Sequence, residues 1–120
     1  MTPQELAERT GALALDKKAH DILLLDLRKL TSAVDWFVIL SADSEPQVLA
    51  VADHIVNTLA GEGLKAWHVE GQDSRKWVLI DYVDVVVHVF YSKTREFYSL
   101  ETLWGDAPMV RIGESAQKSR

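Results

Sequence analysis

The sequence predicts an α/β (α+β) layered domain, a mixed five-stranded sheet flanked by helices in the order α-β-β-α-β-β-β-α. Three observations predict it. The run WVLIDYVDVVVHVF, residues 77–90, is almost wholly apolar and largely β-branched, as suits strands in the middle of a covered sheet. The stretch SEPQVLAVADHIVNTL carries a helix-capping signature and then apolar residues three and four apart. The chain has 120 residues and 48% hydrophobic content, enough for one compact domain with a self-sufficient core.

The elements follow in order. Thr2-Pro3-Gln4-Glu5 reads as a helix start: Thr2 accepts from an early amide, Pro3 suits the first helical position, and Glu5 completes a capping box. The helix runs over about 3–17 with a modest stripe, Leu6, Thr10, Leu13 and Ala14, that lays it on the sheet surface. DILLLDL, 21–27, is a first strand, RKLTSAVD a turn or hairpin, and WFVILSA, 36–42, a second strand. Ser44-Glu45-Pro46-Gln47 opens a helix that runs to about Leu59, with Gly61 placed for a left-handed C-terminal cap. AWHVEG, about 66–70, is a third strand and EGQDS a loop. KWVLIDY and DVVVHVFY are strands four and five, joined tightly at Tyr82-Val83-Asp84. A last helix, about 94–104, carries Phe97, Leu100, Leu103 and Trp104 on one side, with Gly105 and Pro108 ending it. The domain is expected to span 1–108, with 109–120 a disordered tail ending in the polar GESAQKSR.

Composition narrows the function classes. With no cysteine, disulfides, iron–sulfur clusters and thiolate zinc sites are excluded. No apolar run approaches a membrane span and the N-terminus lacks a signal-peptide pattern, so a cytoplasmic location is expected. The net charge of −5 repels bare nucleic acid. The cations come as pairs, Lys17–Lys18, Arg28–Lys29 and Arg75–Lys76, plus Lys93 and Arg95, and never as a run. An acidic chain suits a basic protein surface as partner.

Catalytic signatures are weak. The four histidines fall on four elements, without His-x-His or HExxH, so no metal site is expected. GxSxG, GxGxxG and Walker patterns are absent. LSADSEPQ, 40–47, leads a strand into a helix N-terminus, where Ser41 and Ser44 offer an anion site; Ser44 as a plain cap is the simpler reading. Asp84 and His88 share a strand face, but about 13 Å apart at ~3.3 Å per residue, too far to share a proton or metal. Asp81 can approach His88 across the hairpin and orient its ring; the simpler reading has Asp81 and Asp84 accepting amide hydrogen bonds around the turn. The aromatics are more informative. Trp77 follows Ser74-Arg75-Lys76 at the mouth of a strand, where a tryptophan beside cations suits a binding hot spot and, equally, a cap on the edge of the core.

Three stretches together carry a resemblance. VDWFVILSADSEPQVLAVADHIVNTL, VEGQDSRKWVLIDYVDVVVHVF and REFYSLETLWGDAP are similar to the Iojap-like ribosomal silencing factor family, also called RsfS, over Leu6 to Pro108. The resemblance implies a nucleotidyltransferase-like fold without that activity; no cofactor is expected. It implies binding to the large ribosomal subunit through ribosomal protein fourteen of that subunit. It also implies a block on joining of the small subunit, which lowers translation when nutrients are scarce. Organelle relatives of the family take part in large-subunit assembly. The family's partner-binding tryptophan falls on Trp77, and the surface is extended here to Asp81, His88, Tyr98 and Trp104. No membrane and no direct sequence-specific nucleic acid is expected as partner, and a homodimer of the free chain fits a sheet edge and exposed aromatics. His88 is a candidate source of pH sensitivity. The alternatives are an assembly factor with the same docking site and a nucleotidyltransferase-like nucleotide binder. Two departures stand out. The family usually has glycine in the turn before the VVVH strand, where this chain has Val83, and Ser-Gly after the second strand, where it has Ser41-Ala42.

Overall fold

The computed structural model describes residues 1–113, apart from the side chain of Phe97. It holds ten elements: α1 (Pro3–Asp16), β1 (His20–Asp26), β2 (Trp36–Ala42), α2 (Glu45–Gly61), β3 (His68–Glu70), β4 (Trp77–Asp81), β5 (Val85–Tyr91), α3 (Ser92–Tyr98), α4 (Leu100–Leu103) and β6 (Met109–Ile112). The sheet order is β3-β4-β5-β2-β1-β6. β2 and β5 pair in parallel, Ile39 opposite His88, and the other neighbours are antiparallel. The mixed sheet is thus as expected, with six strands rather than five.

Local chemistry accounts for the long elements. Thr2 Oγ1 accepts from the Glu5 amide while Glu5 reaches back to the Thr2 amide, so the capping box forms. Ser44 caps α2 by accepting from the Gln47 amide at 3.2 Å. α1 buries Leu6, Ala7, Thr10, Gly11, Leu13 and Ala14, and α2 buries Val48, Val51, Ala52, Ile55 and Leu59. Both lie on one face of the sheet, against Leu24, Val38, Leu40, Val78, Ile80 and Val87. Each such side chain, taken fully from water, contributes roughly 1.5–3 kcal/mol.

Three expectations need correction. Residues 109–112 are not tail: β6 adds to the sheet edge, Val110 opposite Leu24. Residues 114–120 of the expected tail lie outside the described residues. The single helix over 94–104 is two short ones, broken where Ser99 takes φ +50°. Leu103 is correspondingly exposed rather than on a buried stripe. The left-handed residue beyond α2 is Gly63, at φ +94°, and Gly61 is the helix's last residue.

Candidate functional site

The two faces of the sheet are covered unequally. Strand alternation sends Val78 and Ile80 of β4, and Val85, Val87 and Val89 of β5, toward α1 and α2. It sends Phe37 and Ile39 of β2, Trp77 of β4, and Val86 and Phe90 of β5 the other way. On that second side the cover is the segment after β5: Leu100, Trp104 and Ala107 pack with Leu23, Leu25, Leu27, Ile39 and Phe90. Beyond this cover Phe37, Trp77, Leu79 and Val86 stay partly exposed.

Four of the five expected site residues meet in one arc of rings. Trp104 stands edge-on to Phe37 at 6.1 Å, and Phe37 edge-on to His88 at 4.5 Å. His88 lies 5.9 Å from Trp77, which stacks on Phe90 at 4.8 Å and tilts against Tyr98 at 4.7 Å. These separations suit aromatic pairs that reinforce one another beyond area burial. Trp77 is therefore mostly covered although it opens its strand; Tyr98, at 50%, is the outermost ring of the arc.

The partner of His88 is Trp77, not Asp81. The β4–β5 register sets Leu79 opposite His88 and Asp81 opposite Val86. The Trp77 indole Nε1 donates to His88 Nδ1 at 3.1 Å. Because Nδ1 accepts, the neutral imidazole carries its proton on Nε2, which is buried and has no hydrogen-bond partner among the described residues. Burial pushes the His88 pKa down to about 4, so the ring is neutral around pH 7 and offers no switch there. Asp81 works in the turn instead. Its Oδ1 accepts from the Val83 amide at 2.7 Å, and Val83, 59% exposed, is held at φ +74°. Asp84 contributes its carbonyl, accepting from the Asp35 and Trp36 amides.

Relief and charge around Trp77 complete the picture. A hollow of about 210 Å³ lies between Trp77, Leu79, Glu70 and Gly71. Another of about 360 Å³ is lined by Lys76, Tyr91, Lys93, Thr94 and Tyr98. One hollow thus touches the Trp77–Tyr98 ridge at Trp77 and the other, edged by two lysines, at Tyr98. Gly71, at φ +92°, lies so close to the Trp77 carbonyl that a Cβ would meet its oxygen at 2.0 Å. Only glycine lets the loop brace the base of this strand.

At Ser41 and Ser44 the simpler reading holds, a cap in place of an anion site. Ser44 is spent on its helix, and Ser41 Oγ accepts from the Arg95 guanidinium at 2.9 Å. The other histidines pair with carboxylates: His20 with Asp21 and Asp43, His54 with Asp16, His68 with Glu70.

A family model described as ribosomal silencing factor during starvation matches residues 1–120. The chain belongs to the RsfS family. The Bacillus subtilis ribosomal silencing factor RsfS is 40% identical over 112 residues, which covers 93% of this chain and 95% of that one. A crystal structure of a Chromobacterium violaceum protein matches with a TM-score of 0.84 at 38% identity, covering 88% of each chain. A more distant relative from Mus musculus, mitochondrial assembly of ribosomal large subunit protein 1, is 28% identical; the match covers 78% of this chain and 42% of that protein. Within this RsfS fold, sequence reading missed Phe37 and Leu79 as parts of the aromatic face. Alternation alone, applied from Ile39 and Trp77, assigns both to it.

Proposed function

We propose that this RsfS family member is a non-catalytic ribosome-binding factor that docks through its half-covered aromatic face. Its partner is the large ribosomal subunit, engaged through ribosomal protein fourteen, and the bound domain keeps the small subunit from joining. The observation that carries the reading is the Trp77–Tyr98 ridge with its flanking hollows, left open beside a segment that covers only half the face. Tryptophan and tyrosine in such a setting are typical anchors. The acidic chain, at −5, gains encounter rate toward a basic ribosomal protein. The effect follows mass action: the joining-competent fraction of large subunits falls as 1/(1 + [factor]/Kd). Such a factor acts where ribosomes are, in the cytoplasm. Among the described residues no helix is long and apolar enough to cross a membrane.

Two-metal nucleotidyl transfer finds no footing in these residues. It needs paired carboxylates on a strand, whereas Asp81 and Asp84 flank a turn and Asp81 Oδ1 is occupied by the Val83 amide.

The test is to remix separated ribosomal subunits with the protein and sediment them. The reading expects co-sedimentation with the large subunit and fewer joined ribosomes. No binding to the large subunit contradicts it. A second reading, large-subunit assembly, is favoured by the name of the Mus musculus relative. It predicts that the protein co-sediments without hindering joining and that its depletion accumulates immature large subunits.

A further inference from the structure

Where two adjacent parallel strands send their chains to opposite faces, a crevice opens beyond their carboxyl ends, and open α/β sheets bind ligands there. Among the described residues β2 and β5 are the only parallel pair. After β2 the chain enters α2, on the helix-covered face; after β5 it enters α3, and Leu100 and Trp104 beyond it pack on the other. A cavity of about 470 Å³ lies at that divergence, lined by Ser41 from β2, Ser92 just after β5, and Arg95, Glu101, Thr102 and Arg111. Its size falls in the range of small-molecule sites.

Its polar groups are only partly satisfied. Arg95 is 7% exposed. Its Nη1 donates to the Asp21 carbonyl and to Ser41 Oγ, and its Nε to Glu101 Oε2 at 3.1 Å. Its Nη2 makes no hydrogen bond to the described residues. Glu101 Oε1 is buried with no partner, and Arg111 and Glu96 enter no ion pair among the described residues. The buried, unpartnered Glu101 Oε1 calls for an explanation, and a ligand supplies one. The unused donors sit on guanidinium groups and the unused acceptors on carboxylates. The lining acids, Asp21, Glu96 and Glu101, match the lining bases, Arg95, Arg111 and His20, so the crevice has no excess positive charge to hold a polyphosphate.

We propose that this crevice binds a small zwitterion, a free α-amino acid. Its carboxylate accepts from Arg95 and Arg111, and its ammonium donates to Glu101 and Glu96. The crevice shares no lining residue with the two hollows beside Trp77 and Tyr98.

The test titrates isotope-labelled full chain with glycine, glutamate, lysine, leucine or phenylalanine, following backbone amide resonances. The expected result is a saturable shift of the Ser41, Ser92, Arg95 and Thr102 amides by at least one of them. The N-acetylated and carboxyl-esterified forms of that amino acid then bind about tenfold more weakly, because each loses one charged contact. Arg111→Ala and Glu101→Gln each weaken binding by about the same factor. Because Glu101 also holds Arg95, the exposed Arg111 keeps the test meaningful if Glu101→Gln unfolds. The proposal is overturned if none of these amino acids gives a saturable shift at millimolar concentration. Equal binding of inorganic phosphate or of the N-acetylated form, or binding indifferent to Arg111→Ala, overturns it as well.

Discussion

The two faces of the sheet share their strands and divide the work. The α1–α2 face is an aliphatic core in which Val48, Val51, Ile55, Val78, Ile80 and Val87 are wholly buried. The other face is built around rings, and its cover is a helix pair broken at Ser99. The first face spends its apolar area on stability. The second leaves part of that area open at Trp77, Phe37 and Tyr98, where a partner can bury it. The difference teaches that the proposed docking face is where the fold stops covering itself, and that its rings are held in place by one another.

The largest test of this division is a truncation on each face. Ile55→Ala should cost roughly 2–5 kcal/mol, read from the urea midpoint, because the close-packed side cannot collapse around the void. Tyr98→Ala, on the open side, should cost about 1 kcal/mol or less. Equal losses would erase the contrast.

The next effect is the pH response of the buried His88. Its folded pKa, about 4, lies below the ordinary value of 6.5. Below pH 6.5 the unfolded chain takes up a proton that the folded chain refuses, so stability falls as pH drops and levels off near pH 4. The loss is roughly 3 kcal/mol at about 1.4 kcal/mol per unit. Denaturation free energies measured across that window should show this component in the wild type and lack it in His88→Leu. His20 has the opposite sign. Partial burial opposes its charge, but hydrogen bonds from its ring to Asp21 and Asp43, and their charges, outweigh that and raise its pKa. Its contribution is present below pH 6.5 and lost as pH rises through the raised value.

A smaller effect concerns the loop that braces Trp77. Gly71→Ala should destabilise the chain by about 1–2 kcal/mol, since the new Cβ meets backbone and the residue sits at positive φ. It should also weaken large-subunit binding more than an equally destabilising change in α2, which co-sedimentation at matched stability would measure. The smallest concerns Val83. A β-branched residue at φ +74° is strained, so Val83→Gly should raise stability by about 0.5–1 kcal/mol, read from the thermal midpoint, without altering the site.

What was legible in the sequence follows from how local each signal is. α1 and α2 announce themselves through Thr2, Pro3, Glu5, Ser44 and Pro46, and the run WFVILSA marks β2 to the residue at Trp36–Ala42. β6 was not legible. MVRI is four residues long, follows a proline, and becomes a strand only because β1 offers it an edge. The break at Ser99 was hidden because serine carries no left-handed signature as glycine does. Of the site, Trp77 stood out by its neighbours and His88 by its apolar setting. Their hydrogen bond depends on strand register, which the turn at Val83 sets and which no local pattern displays.

The central claim, that the aromatic face and not the helical one meets the ribosome, is tested most directly by binding of purified large subunits to two variants. Trp77→Ala removes the ridge, and Ala50→Glu alters an exposed position on α2. The account predicts at least about a thirtyfold rise in Kd for Trp77→Ala, the size of a hot-spot loss, with Ala50→Glu unchanged. Unchanged binding by a folded Trp77→Ala, or loss of binding by Ala50→Glu alone, would contradict it.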